Sequence, residues 1–119
     1  MAQGTFALVL VADTGDRFAE FAPYVPSIDP RGHVAFQAAL RSGESGVFLA
    51  RDGSIADLAL TGGLIDDFMS HPDISGDGSW CAYAALRSGE QAVVLGRAGR
   101  VASIVDTRGS LTRIGPLGP

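Results

Sequence analysis

The heptapeptide "AALRSGE" stands at Ala38–Glu44 and returns unchanged at Ala84–Glu90. An exact match of that length invites an alignment at the same offset, because periods of 20 to 50 residues decide a repeat fold before any single element does. Laid over one another, "VPSIDPRGHVAFQAALRSGESGVFLARDGSIADLALTGG" and "HPDISGDGSWCAYAALRSGEQAVVLGRAGRVASIVDTRG" agree at 17 of 39 positions. The matches fall at turns and strand ends: Pro26 with Pro72, Ile28 with Ile74, Gly32 with Gly78, Gly53 with Gly99 and Thr61 with Thr107.

Each unit predicts four short strands, since apolar or alternating runs are separated by clusters of Gly, Asp and Ser. In the first unit these are Pro26–Ile28, His33–Leu40, Gly46–Ala50 and Ser54–Leu60. In the second they are Pro72–Ile74, Ser79–Leu86, Ala92–Gly96 and Arg100–Val105. The links "DPRG" and "SGDG", "RSGE", and "RDG" and "RAG" have hairpin length and carry the glycine that such turns demand. The expectation is a four-stranded antiparallel meander, twice.

A partial copy precedes them. "LVLVADTGDRFAEFAPYVP" from Leu8 resembles "IADLALTGGLIDDFMSHP" from Ile55 and "VASIVDTRGSLTRIGPLGP" from Val101. In each, a fourth strand ends at Thr14, Thr61 or Thr107, and a connector with an apolar anchor at Phe21, Phe68 or Ile114 leads to Pro26, Pro72 or Pro119. The chain thus divides as one all-β repeat domain over 1–119, with a partial repeat at 4–24 and repeats at 25–70 and 71–119. One detail differs between the units: Phe36 is in phase with Leu40, whereas Tyr83 is out of phase with Leu86, because side chains alternate faces along a strand. A β-bulge near Trp80 and Cys81 is the expected reconciliation.

"ISGDGSWCAYAAL" resembles the blade signature of TolB-type, WD-repeat-like β-propellers, in which an Asp-Gly turn leads into a strand with a small residue followed by an aromatic. "DPRGHVAFQAAL" followed by "GVFLARDGSIADLAL" is similar to tandem repeats of unknown function in bacterial surface proteins. The resemblance implies propeller blades of about 40 to 50 residues and no catalytic residue. Two blades do not close a ring of the usual four to eight, and an unclosed pair leaves apolar faces in water. Homo-oligomerisation into a six-bladed trimer or eight-bladed tetramer is the favoured solution. The alternatives are a fragment of a larger propeller, or a compact β-sandwich or barrel whose sheets cover each other.

Composition narrows the partners. Apolar residues make up 46% and charged residues 18% of the chain, which argues for a buried core and against disorder. A net charge of -4, with nine Arg and no Lys, offers no basic footprint for nucleic acid. Cys81 is the one cysteine, so an internal disulfide is excluded. The apolar run Phe6–Ala12 is too short to span a bilayer and has no Lys or Arg before it, which argues against a signal peptide and for a cytoplasmic location.

Chemistry is sparse. His71, Cys81 and Asp73 contain the types of a thiol nucleophile, base and orienter, but Cys81 takes a strand position where a small hydrophobe serves. His33 and His71 with one cysteine make no zinc-like ligand set. "DTGD" at Asp13–Asp16 and the pair Asp66, Asp67 lack the alternating oxygens of a calcium loop. Phosphate-loop, nucleophile-elbow and dinucleotide motifs are absent, so no cofactor is expected. Arg41 and Arg87 of the "RSGE" turns read either as local ion pairs with Glu44 and Glu90 or as a rim that presents repeated cations to an anionic ligand. Trp80, Tyr24 and Phe18 lack equivalents in the other copies and are candidates for an interface or a ligand. The expected function is a non-enzymatic binding or scaffold module presenting repeated sites, with a protein, peptide or sugar ligand. A lectin-like carbohydrate binder with sites at blade junctions is the alternative.

Overall fold

A computed structural model of the chain describes residues 8–15, 17–97 and 100–106. Among them the chain is all-β, in two antiparallel sheets. The first sheet holds β1 (Phe18–Phe21), β2 (Ser27–Ile28), β3 (Val34–Leu40), β4 (Ser45–Arg51) and β5 (Ser54–Leu60). The second holds β6 (Ile65–Phe68), β7 (Asp73–Ile74), β8 (Trp80–Leu86), β9 (Gln91–Arg97) and β10 (Arg100–Asp106). Strand order is β1-β3-β4-β5 and β6-β8-β9-β10, with β2 on β3 and β7 on β8.

The eight strands expected from the turns all form, within a residue or two of their predicted ends. Two more, β1 and β6, arise inside the segments read as connectors. β1 pairs with Ala38–Leu40 and β2 with Val34 and Ala35, so the two share one edge of β3. The first strand of each meander is therefore in two pieces. In the first sheet the break is "APYVP", where Pro23 and Pro26 have no N–H to give to a ladder.

The shared heptapeptide builds the same turn twice. Leu40 N donates to Glu44 O at 2.7 Å and Leu86 N to Glu90 O at 2.8 Å, while Gly43 and Gly89 take φ of 107° and 97°. Glycine enters that region without steric cost, which is why "RSG" suits a three-residue hairpin loop.

Hydrogen bonds recur beyond the heptapeptide. Ala22 N donates to Gln37 O and Met69 N to Tyr83 O; Arg41 N donates to Arg17 O and Arg87 N to Leu64 O. Residues 17–22 thus lie on the first sheet as residues 64–69 lie on the second. The fourth strand expected before Thr14 does not form, however: residues 8–13 join no ladder. A strand needs a neighbour to satisfy its amides, and β4 and β9 already pair with β5 and β10. Leu8, Val9 and Leu10 stay largely in water.

Two apolar clusters hold the sheets. Phe18, Phe36, Ala38, Leu40, Phe48 and Ala50 form one on the far side of the first sheet, with Ala12 packed against it. The other joins the sheets: Val47, Leu58 and Ala59 of the first meet Phe68, Trp80, Ala82 and Val94 of the second. Phe68 and Trp80 stand edge to face with centroids 6.2 Å apart, and burial of each contributes roughly 2–3 kcal/mol. Of the three expected anchors, Phe68 is buried here, Phe21 is partly exposed on the far side of the first sheet, and Ile114 lies outside the described residues.

Strand β8 has no bulge near Trp80 and Cys81. Its pairing with β9 runs unbroken from Trp80 opposite Gly96 to Ala85 opposite Gln91. The phase difference is a real difference of face. In the first sheet Phe36 and Phe48 fill the cluster beside Val34 and Ala50; in the second Ala82 and Val94 leave that space to Trp80, whose indole lies over Gly96. Tyr83 takes the other face, at the place Gln37 holds in β3.

Candidate functional site: a groove between the sheets

The five residues singled out from sequence separate. Phe18 and Trp80 are buried, at 2% and 3% exposure, in the two clusters, and Phe18 also lines a cavity of about 230 Å3 with Leu10, Val11, Arg17 and Ile55. Tyr24 is half-buried beside a small cavity of about 110 Å3 lined also by Ser70, His71, Asp73, Cys81 and Tyr83. Arg41 and Arg87 each donate a guanidinium N–H to a backbone carbonyl of the preceding segment, Thr14 O for Arg41 and Gly62 O, at 3.0 Å, for Arg87. In the same turns Ser42 donates to Glu44 and Ser88 to Glu90. Arg87 thus clasps the crossing from β5 to β6, and Arg41 clasps the segment that leads into β1.

The Cys81 cavity brings the sequence trio together without activating it. His71 Nε2 lies 3.2 Å from Asp73 Oδ1, and Asp73 is the ladder partner of Cys81. Burial, then the Asp73 charge, push the thiol above its ordinary value, so it stays protonated at neutral pH and is a poor nucleophile. No group of three His, Cys, Asp or Glu among the described residues is placed to hold a metal ion.

A larger concavity lies at the rim opposite the "RSGE" turns, where the turns β2–β3, β4–β5 and β7–β8 come together. It is a groove of about 350 Å3 between the sheets. Its walls are two turns with the same backbone and different carboxylates. In "DPRGH" Asp29 Oδ1 accepts from Arg31 N at 2.9 Å and His33 N at 3.0 Å, while Oδ2 meets Arg31 Nη2 at 3.2 Å and His33 Nδ1 at 3.3 Å. Burial opposes ionisation of Asp29, but the His33 and Arg31 amides and the Arg31 guanidinium outweigh it and hold the carboxyl below its ordinary value. In "SGDGS" the carboxylate sits two places later. Asp77 accepts from Ser75 Oγ and from Ser79 N and pairs with Arg97 at 3.4 Å, which brings it to about 2.

Both carboxylates are thereby tied to their own turns. Three arginines line the same groove: Arg31, Arg51 and Arg97. Arg31 and Arg97 share a carboxylate, whereas Arg51 makes no side-chain ion pair among the described residues. Leu49, Ala56, Leu58 and Ile74 supply the apolar part of the lining. Sequence reasoning missed this set. The available signal was that Arg51 and Arg97 hold equivalent places in "ARDG" and "GRAG", which the alternation of hairpins puts at the rim opposite "RSGE". Comparison with protein families, with curated proteins and with solved structures returns no match.

Proposed function

We propose that the chain is a non-enzymatic binding or scaffold module of propeller-type sheets, which joins copies of itself and presents a groove at each junction. The observation that carries this reading is the inequality of the faces in contact. The face of the first sheet that bears Gln37 and Val47 packs on the face of the second that bears Ala82 and Val94. A two-fold sandwich would instead bury like on like. Head-to-tail packing leaves on the second sheet a face with Tyr83, Val93 and Leu95, equivalent to the one the first sheet has already buried, and Leu95 is 40% exposed there. A heterologous contact of this kind closes into a ring when its rotation allows.

The interface within the chain supplies the template for the one between copies. Gln37 Nε2 donates to Phe68 O at 2.8 Å, and Ser27 Oγ accepts from Ile74 N at 3.2 Å. By equivalence Tyr83 donates its hydroxyl to Phe21 O of a second copy, and Asp73 accepts from Ile28 N of that copy. Residues 8–11 stand in the way without ladder bonds, whereas β10 arrives already paired to β9 and displaces them.

The mass in solution tests this. A trimer or tetramer that Val93→Asp converts to a folded monomer supports the reading; a stable wild-type monomer at high micromolar concentration refutes it. The sugar-binding alternative draws less support from the geometry, since Phe18 and Trp80 are buried and the groove is lined by arginines rather than by an aromatic platform. Specific signals on a glycan array would restore it.

A further inference from the structure

We infer that the groove between the sheets is an oxyanion site, which takes a small ligand carrying a carboxylate or phosphate on an apolar body. The inference deepens the binding half of the reading above and is independent of assembly, because this groove is complete within one chain. Three arginines, Arg31 of the β2–β3 turn, Arg51 at the end of β4 and Arg97 at the end of β9, line one concavity in a chain whose net charge is -4. Rim arginines scattered for solubility would have no reason to converge there.

The charge balance within the groove leaves a vacancy for an anion. Asp29 and Asp77 are the acidic residues of the lining, and each is already served by hydrogen bonds from its own turn. They hold Arg31 and Arg97 in place without using all of the five N–H donors that a guanidinium carries. Arg51 adds a third cation with no carboxylate partner among the described residues. A planar guanidinium accepts a carboxylate or phosphate through two parallel N–H···O bonds, a geometry an ammonium does not reproduce. Beside these donors Leu49, Leu58 and Ile74 present an apolar wall, so the ligand that fits best has its charge at one end and a hydrocarbon or aromatic body at the other.

Phenyl phosphate is the probe, with benzoate, inorganic phosphate and benzyl alcohol beside it, each titrated into the 15N-labelled full chain and followed by amide shifts. Phenyl phosphate or benzoate is expected to shift the amides of Arg31, His33 and Ser79, to weaken as salt is raised, and to bind more tightly than inorganic phosphate. The stronger of the two identifies the headgroup. Benzyl alcohol is expected to leave those amides unmoved. Arg51→Gln should weaken binding by about tenfold or more, as loss of a charge-assisted pair does, and Arg51→Lys should recover only part of it. Arg41→Gln, at the other rim, should leave affinity within about twofold while the groove turns keep their spectrum. The inference is overturned if neither aryl anion shifts the groove amides, if the neutral alcohol binds as well, or if Arg51→Gln binds as the wild type does. None of those results bears on the solution mass, so failure here leaves the assembly reading standing.

Discussion

Gly96→Ala places one methyl group where the second sheet has no room for it. A Cβ built on Gly96 would lie well inside 3.0 Å of the indole Cε2, Nε1 and Cζ2 atoms of Trp80. The ring has nowhere to go: it is 3% exposed and is held edge to face against Phe68. Overpacking of this kind costs about 1–3 kcal/mol, and three indole atoms in the way put it in the upper part of that range, about 2.5 kcal/mol; the better strand propensity of alanine returns roughly 0.5 kcal/mol, so a net loss of about 2 kcal/mol is expected. For a domain of this size that lowers the melting temperature by about 6–10 °C. The first sheet shows the remedy, since Val34 lies opposite Ala50 where Trp80 lies opposite Gly96. In a Trp80→Val background the same methyl group should therefore cost close to nothing, a coupling of about 2 kcal/mol between the two positions. Guanidinium unfolding of the four proteins, followed by far-UV circular dichroism because Trp80 is the only tryptophan, measures it. A Gly96→Ala cost that is negligible, or equal in both backgrounds, would refute the packing argument.

Other outcomes follow from single contacts. Arg87→Ala removes the clasp on Gly62 O and should cost about 0.5–1.5 kcal/mol in thermal or chemical unfolding, whereas an arginine that merely decorates the rim would cost nothing measurable. Tyr83→Phe deletes the hydroxyl assigned to the contact between copies, so it should weaken association in analytical ultracentrifugation while leaving the thermal unfolding of the dissociated monomer unchanged; equal association would remove Tyr83 from the interface. Asp77 is held at about 2 against an ordinary 3.8, so it contributes stability above about pH 4 that is lost as pH falls towards 2. Asp77→Asn should flatten the acid limb of stability against pH over that window, and an unaltered slope would show that Ser75, Ser79 and Arg97 do not stabilise the charge.

What the chain determines locally is its strands and turns. Glycine at φ near 100° in both "RSGE" turns, and apolar runs of strand length between Gly, Asp and Ser clusters, set each hairpin from a few adjacent residues, so eight strand positions and their pairing order were legible. The identity of residues 46 apart also showed that the two meanders are built alike. Tertiary structure decided the rest, because it depends on neighbours distant in sequence. "FAEF" and "IDDF" become strands only because β3 and β8 leave an edge open past the prolines, and residues 8–13 fail to become one because β4 and β9, the strands on which a fourth strand is built, are already taken by β5 and β10. Nothing local tells that Trp80 fills, from the position of Val34, the space that Phe36 and Phe48 fill in the first sheet; that exchange of volume is visible only in the packed core. The same is true of the arginines. Arg41 and Arg87 were conspicuous in the repeated heptapeptide, yet they clasp carbonyls, whereas Arg31, Arg51 and Arg97 meet in one groove only when the two sheets are stacked.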